Sequence, residues 1–561
     1  MGERVREVAG FVHGDLFAVL HEPSRPEGAV VICGPIGWEL AKDYRREVLL
    51  GRELARRRVA VMRFHYRGLG ESGGSFEDLT VASMLRDARE ACDVLRTSTG
   101  CDAPAVVGVR LGAVVAARLS AGLGATSLAL WDPVVDGREY VRALARVQRI
   151  WELAGSPERR RASTRHGDRS LTVLGYRFSE RLVAEIESVR LVEELRERAR
   201  GPVLSLHVGA LPEAIAQLAD RHPARGGRIE VEAIPGVAEW WLKRRRFEAE
   251  EESPLSRRLV DRTARWLAAA PPAACGEKRP AAIASESRAT RGRRTAVSVP
   301  AERFELSGML VEPAARRADV AAVVLNCGSH HLTAGPLGLW AELGARLSEL
   351  GVPSLRVAYH GVAESTGTIH DFDLSRPLVD ELHAARAAMR ERGYERHVLV
   401  GGCLGARTAC AASMEGVAAL VLVSLPFHVE SLANPAPSTA PPAAAPAAEP
   451  WADRPSFARR AAGPDVANLN EPLIADLDRC VRARVPIQLV YSAREPYRQH
   501  FETLRAGTLA PTVDRAGDRL RVDVVRGDDS MFETSSVVDS VTDFVARLVD
   551  ERGARRGRIR A

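Results

Sequence analysis

Two segments of this 561-residue chain carry the residue types and spacing that chemistry needs: Gly401-Gly-Cys403-Leu-Gly405 and Gly108-Val-Arg110-Leu-Gly112. In each, a β-rich apolar run (396–400 and 105–109) precedes the glycines and a helical pattern follows. Two glycines flanking one residue leave room for a strained strand-to-helix turn that projects that residue's side chain. Cysteine is a competent nucleophile at such a turn, since the positive end of the following helix lowers a thiol's pKa. Arginine is always protonated and cannot attack a carbonyl. Arg110 is therefore open to two readings: a pocket-floor cation for a carboxylate or phosphate, or an ion-pair partner of an acid such as Asp132.

The two segments belong to an internal duplication. Val59-Ala-Val-Met-Arg-Phe-His-Tyr-Arg-Gly-Leu-Gly-Glu-Ser-Gly-Gly74 aligns with Val352-Pro-Ser-Leu-Arg-Val-Ala-Tyr-His-Gly-Val-Ala-Glu-Ser-Thr-Gly367. Val106–Ala113 matches Leu399–Ala406 at the same spacing, as do Ala29–Val31 with Ala322–Val324 and Pro133 with Pro426. A constant offset over such a span marks two copies of one domain. We expect domains at 1–266 and 301–550, a linker rich in Ala, Pro and Arg at 267–300, and a basic tail at 551–561. The Pro/Ala-rich stretch 434–450 reads as an insertion at a surface loop.

Within the first copy, strand-like runs at 29–32, 59–64, 105–109, 127–131, 203–207 and 229–234 alternate with helical stretches such as 43–57 and 80–96. The alternation predicts an α/β fold: a mostly parallel sheet with helices on both faces. Each copy should open with a hairpin, turning at His13-Gly14-Asp15 and at Ser307-Gly308. Helix-rich inserts at 134–200 and 427–484 would form caps above the sheet's carboxyl edge, where such folds bind ligands.

Composition narrows the rest. At 46% hydrophobic and 27% charged residues, the chain has the balance of a globular protein. Its net charge of +6 is concentrated. Residues 267–299 carry six Lys or Arg against two Glu, and 551–561 carry five Arg against one Glu. Basic residues placed there keep mobile segments solvated, and no nucleic-acid partner is expected. No apolar run of about twenty residues exists, so no membrane insertion is expected. The N-terminal residues lack the apolar core of a signal peptide, and the eight cysteines lack paired or metal-ligand spacing. Those features suggest reduced thiols in a cytoplasmic protein without a metal or other cofactor. Glycine-rich phosphate loops are also missing.

With its elbows and its Tyr66-Arg-Gly-Leu-Gly-Glu-Ser72 turn, the chain resembles two fused α/β-hydrolase domains. It is similar to the serine aminopeptidase-like and exosortase-associated hydrolases, the latter also through Leu130-Trp-Asp-Pro-Val-Val-Asp-Gly137 and Gly175-Tyr-Arg-Phe-Ser179. The resemblance implies an acyl-transfer enzyme: an ester or thioester hydrolase, or an acyltransferase. Cys403 would be its nucleophile, and the first domain would be a silent pseudoenzyme. It implies Glu495 as the acid and an oxyanion hole built from the N–H groups of Leu404 and Gly328. Its base slot, here Gly527–Phe532, holds no histidine. Three readings follow. Asp529 acts as base itself; or a histidine from another loop (His330, His331 or His428) reaches Cys403; or there is no covalent chemistry. The substrate would be an acyl ester or thioester, free or carrier-protein-bound. The rival is a degenerate pair that binds an acyl ligand, a carrier protein or another enzyme without turnover.

Overall fold

The computed structural model describes residues 5–124, 127–153, 170–198, 201–221, 228–236, 253–269, 275–276, 283–289, 291–316, 319–328, 332–369, 373–427, 469–527 and 533–560. It divides into two compact units, the second beginning its continuous run at Thr290.

The first unit contains β1 (Val5–Val12), β2 (Leu16–Pro23), β3 (Gly28–Cys33), β4 (Val59–Phe64), β5 (Ala105–Val109), β6 (Leu128–Trp131), β7 (Leu171–Val173), β8 (Tyr176–Phe178), β9 (Val203–Val208) and β10 (Ile229–Ile234). Eight of these form one sheet, ordered β1-β2-β4-β3-β5-β6-β9-β10. β2 is antiparallel to both neighbours, and every pair from β4 to β10 is parallel. β3 to β6 are buried throughout, as strands covered on both faces must be. On one face Val30, Ile32, Val107 and Trp131 pack with Leu50 and Leu54 of helix Trp38–Arg56 and Leu259 of helix Pro254–Ala269. Helix Gly112–Leu123 lies on the other face, where a Cβ on Gly108 would meet its Ala113 and Ala116. Helix Val81–Thr99 packs beside it. Thr80 starts that helix through a reciprocal bond with Ser83, and Gly100 (φ 65°) ends it.

The short strand β11 (Glu286–Ala289) precedes the second unit. That unit contains β12 (Gly292–Pro300), β13 (Glu305–Glu312), β14 (Val320–Leu325), β15 (Ser354–Val357), β16 (Arg396–Gly402), β17 (Val417–Val423), β18 (Ile487–Ser492) and β19 (Leu520–Val525). They run in the order β12-β13-β15-β14-β16-β17-β18-β19, again with one antiparallel strand, β13, in the same place. Its core repeats the first: Val320, Ala322 and Val324 pack with Leu343 and Leu347 of helix Leu339–Glu349 and with Val541 and Val545 of helix Thr534–Arg560.

Two expectations need correction. The linker expected at 267–300 does not extend to residue 300, because Gly292–Pro300 is a strand paired along its whole length with β13. Accordingly the hairpin turns at 301–304, where Ala301 N donates to Phe304 O at 2.8 Å, and not at Ser307-Gly308. Gly308 serves a different need: a Cβ there would stand 2.8 Å from the Arg356 carbonyl oxygen of the neighbouring strand. The first hairpin turns at residues 13–15 as expected.

The insert between β6 and β9 is helical. It comprises Gly137–Leu153, Glu180–Glu187 and Leu191–Arg198, with the β7–β8 hairpin among them. Most of the second insert (428–468) lies outside the described residues; its helix Glu471–Arg482 lies within them. Among the described residues no helix is long and apolar enough to cross a membrane.

Candidate active site

Both elbows take the strained geometry that their glycines allow. β16 ends at Gly402, helix Leu404–Ala411 begins at once, and Cys403 between them has φ 48° and ψ −107°. Such a backbone costs an ordinary residue about 1–2 kcal/mol and persists only where its surroundings enforce it. Here Cys403 N donates to Val423 O at 2.9 Å, tying the turn to the end of β17. A Cβ on Gly405 would stand 2.6 Å from Leu325 O and 2.7 Å from Asn326 O, and a Cβ on Gly401 would run into Gly405 itself. In the first unit Arg110 has φ 52° and its N–H donates to Trp131 O at 3.0 Å. A Cβ on Gly112 would collide with the carbonyl oxygens of Cys33 and Gly34.

What the two turns project differs. Arg110 Nη1 donates to Asp132 Oδ2 at 2.9 Å and to Asp132 O at 2.7 Å, while its Nε donates to Glu39 Oε1 at 3.3 Å. Its guanidinium also lies 5.7 Å from the Tyr140 ring centroid. The pairing with Asp132 is the one the sequence suggested, and Glu39 joins it. Glu39 reaches the site because Gly37 (φ 60°) turns the chain so that the helix begins at Trp38. Burial raises the pKa of the Glu39 carboxyl, opposed by the neighbouring Arg110 charge. One turn on, burial pushes Asp43 up to about 6, against the pull of Arg46 at 3.3 Å. Burial also holds His207 down at about 4, opposed by Asp132. Its Nε2 lies 2.9 Å from Ser205 Oγ.

In the second unit the place of Asp132 is taken by Ser424 (φ 52°), whose N–H donates to Val490 O at 2.9 Å, as Asp132 N donates to Leu206 O at 2.6 Å. Ser424 Oγ donates at 3.2 Å to Glu495 Oε2, which also accepts from Ser492 N at 2.9 Å. Glu495 is buried just past β18. Cys403 is half-buried at the elbow. Leu404 N–H heads its helix, so it belongs to the first turn, whose donors have no intrahelical acceptor.

The loop after β14 is held by Asn326. Its Nδ2 donates to Leu332 O at 2.6 Å, and its Oδ1 accepts from Trp340 Nε1 at 3.1 Å and from Cys327 N at 3.2 Å. Tyr359 OH donates to Asn326 O at 2.7 Å, and burial keeps that phenol well above its usual pKa. The close packing of Gly405 on Leu325 and Asn326 sets the strand end before Gly328 against the elbow helix. His330, His331, His428 and Asp529 lie outside the described residues. Sequence reasoning missed Ser424, Glu39, Tyr140 and Asn326. Only the repeat alignment, which sets Ser424 close to Asp132, held a signal for any of them. Among the described residues no group of three or more His, Cys, Asp or Glu could hold a metal ion.

Two sheets of this order, each turning through a glycine-flanked elbow onto a helix, define an α/β-hydrolase fold present twice in one chain. No family model and no curated protein matches the chain. Among solved structures it is similar to Est1E from Butyrivibrio proteoclasticus with ferulic acid bound, at 17% identity over 46% of this chain and 99% of that one, TM-score 0.33. It is likewise similar to the esterase domain of a Rhodothermus marinus protein (19% identity, 47% and 98% covered, TM-score 0.32). A third is the alpha/beta hydrolase GrgF from Penicillium sp. sh18 (15% identity, 46% and 98% covered, TM-score 0.32).

Proposed function

We propose that the second unit is an acyl-transfer enzyme, an ester or thioester hydrolase or an acyltransferase, with Cys403 as its nucleophile and the first unit catalytically silent. One observation carries this reading: Cys403 stands half-buried on the strained elbow at a helix N-terminus, the place that Arg110, held by Glu39 and Asp132, takes in the first unit. In the proposed reaction the thiolate sulfur bonds to the substrate carbonyl carbon. The developing oxyanion takes hydrogen bonds from Leu404 and Gly328 N–H, and the alcohol or thiol leaves with a proton. Water, or an acceptor alcohol or amine, then takes the acyl group and regenerates the thiol. Glu495, which accepts a hydrogen bond from Ser424, would be the acid. The base is drawn from His331, His428 and Asp529. The substrate would be an acyl ester or thioester, free or presented by a carrier protein.

A second reading, a degenerate pair that binds an acyl ligand without turnover, is favoured by the lack of histidine in Gly527–Phe532. Release of free acid from a series of acyl thioesters, followed chromatographically with wild type and Cys403→Ala, separates the two. Turnover by wild type alone supports the enzyme. Binding without turnover by both supports the second reading.

A further inference from the structure

Helix Val81–Thr99 stops at Gly100, and Cys101 follows in the loop ahead of β5. Far along the chain, Gly276 N donates to Gly100 O at 3.0 Å, and a Cβ on Gly276 would stand 3.2 Å from that same oxygen. This close backbone approach sets Cys275 beside Cys101, and the Cys275 thiol donates a hydrogen bond to the Cys101 sulfur. Backbone N–H groups of Ala103 and Ala29 donate to that sulfur as well. The Cys275 hydrogen bond, with the neighbouring backbone N–H groups, lowers the Cys101 pKa against the penalty of burial. Cys101 is buried, but Cys275 is half-buried, so a small reagent has a way in.

We infer that Cys101 and Cys275 are a redox modification site: a reversible disulfide that fastens the stretch following helix Pro254–Ala269 to the loop that enters β5. The oxidant is a small disulfide such as oxidised glutathione. Cys275 passes its proton to the Cys101 sulfur and attacks one sulfur of that disulfide, which breaks the reagent's S–S bond and expels one glutathione thiolate, which takes up the proton from Cys101. The Cys101 thiolate then attacks the Cys275 sulfur of the mixed disulfide and displaces the second. Two protein thiols become one disulfide, two glutathione thiols are formed, and they carry away both protons.

Cys410 and Cys480 offer an internal control. They also share a thiol–thiol hydrogen bond, but both are buried, so neither is open to the first step.

In the full chain, reduced and then titrated with oxidised glutathione, the Cys101 and Cys275 peptides should together lose two hydrogens in mass and retain no glutathione, read peptide by peptide because Cys327 and Cys403 are also half-buried. A non-reducing peptide map should show one cross-link, Cys101 to Cys275, that dithiothreitol reverses. Cys275→Ser should abolish the cross-link, and Cys101→Ser should leave one glutathione held on Cys275. Where Cys101→Ser does not fold, the wild-type map and Cys275→Ser decide the matter. Three results would overturn the inference: glutathione retained on wild-type Cys275 with Cys101 still alkylatable after unfolding, a Cys410–Cys480 link in its place, or no reaction. None of these bears on whether Cys403 is a nucleophile.

Discussion

At residue 110 the chain sets a cation where at 403 it sets a thiol, and the surroundings of the two turns have diverged to match. Both backbones are strained the same way and both are anchored to the next strand, through Trp131 O and Val423 O. Beyond the backbone the likeness ends. The first elbow's side chain lies among Glu39, Asp132 and Tyr140, so charge is neutralised within the site. In the second, the residue after the next strand is Ser424, whose hydroxyl turns toward Glu495 and not toward the elbow. The comparison teaches that the elbow is a structural device first. Its glycines are demanded by close backbone packing whatever side chain stands between them, so only that side chain and its partners speak to chemistry.

The sharpest break between the two elbows should come from replacing what they project. Cys403→Ala should lower acyl transfer by on the order of 10³-fold or more, while Arg110→Ala should leave the turnover of folded protein unchanged; single-turnover kinetics on both variants decides it. Loss of activity in Arg110→Ala with an intact second unit would mean that the first copy is not silent.

Next in size is the ion-pair cluster. Arg110→Met strands Asp132 and Glu39 in a buried site and should destabilise the first unit by about 3–4 kcal/mol, read from urea unfolding of the full chain.

The glycines sharpen the comparison further. Gly112→Ala and Gly405→Ala each force a methyl onto backbone carbonyl oxygens and should each cost about 2–3 kcal/mol. Only Gly405→Ala should also slow acylation. Equal kinetic damage from both would dissolve the distinction between a structural and a chemical elbow.

The smallest effect is one of pH. His207 is held near 4 by burial, against an ordinary 6.5, so between those values the unfolded chain binds more protons than the folded one. Its contribution is intact above about 6.5 and declines as pH falls toward 4, by about 1–2 kcal/mol at pH 5. Asp43, raised to about 6, acts in the opposite sense: its contribution declines as pH rises from its ordinary 3.8 through 6. His207→Gln should therefore flatten the acid side of the first unit's stability profile; an unchanged slope would remove His207 from the account.

Much of this was legible in the sequence, for identifiable reasons. β4, β5 and β10 match their expected runs residue for residue: β4 and β5 because strands covered on both faces read as apolar stretches, and the half-buried edge strand β10 because its Ile and Val alternate with Glu. Both elbows were visible through their glycines. β12 was hidden because Arg293 and Arg294 open it with the composition of a solvated linker, and its pairing with β13 overrides that local signal. Glu39 was hidden because Gly37 starts the helix five residues before the periodicity does. The contact of Ser424 with Glu495 joins residues 71 positions apart through adjacent strand ends, a relation that only the sheet order supplies.

The most direct test of the central claim is the intact mass of wild type and Cys403→Ala after exposure to activated acyl esters and acyl thioesters. We predict a gain of one acyl group on wild type only, cleared by water or by an added amine. An adduct on both proteins, or on neither across short and long chains, would contradict Cys403 as the nucleophile.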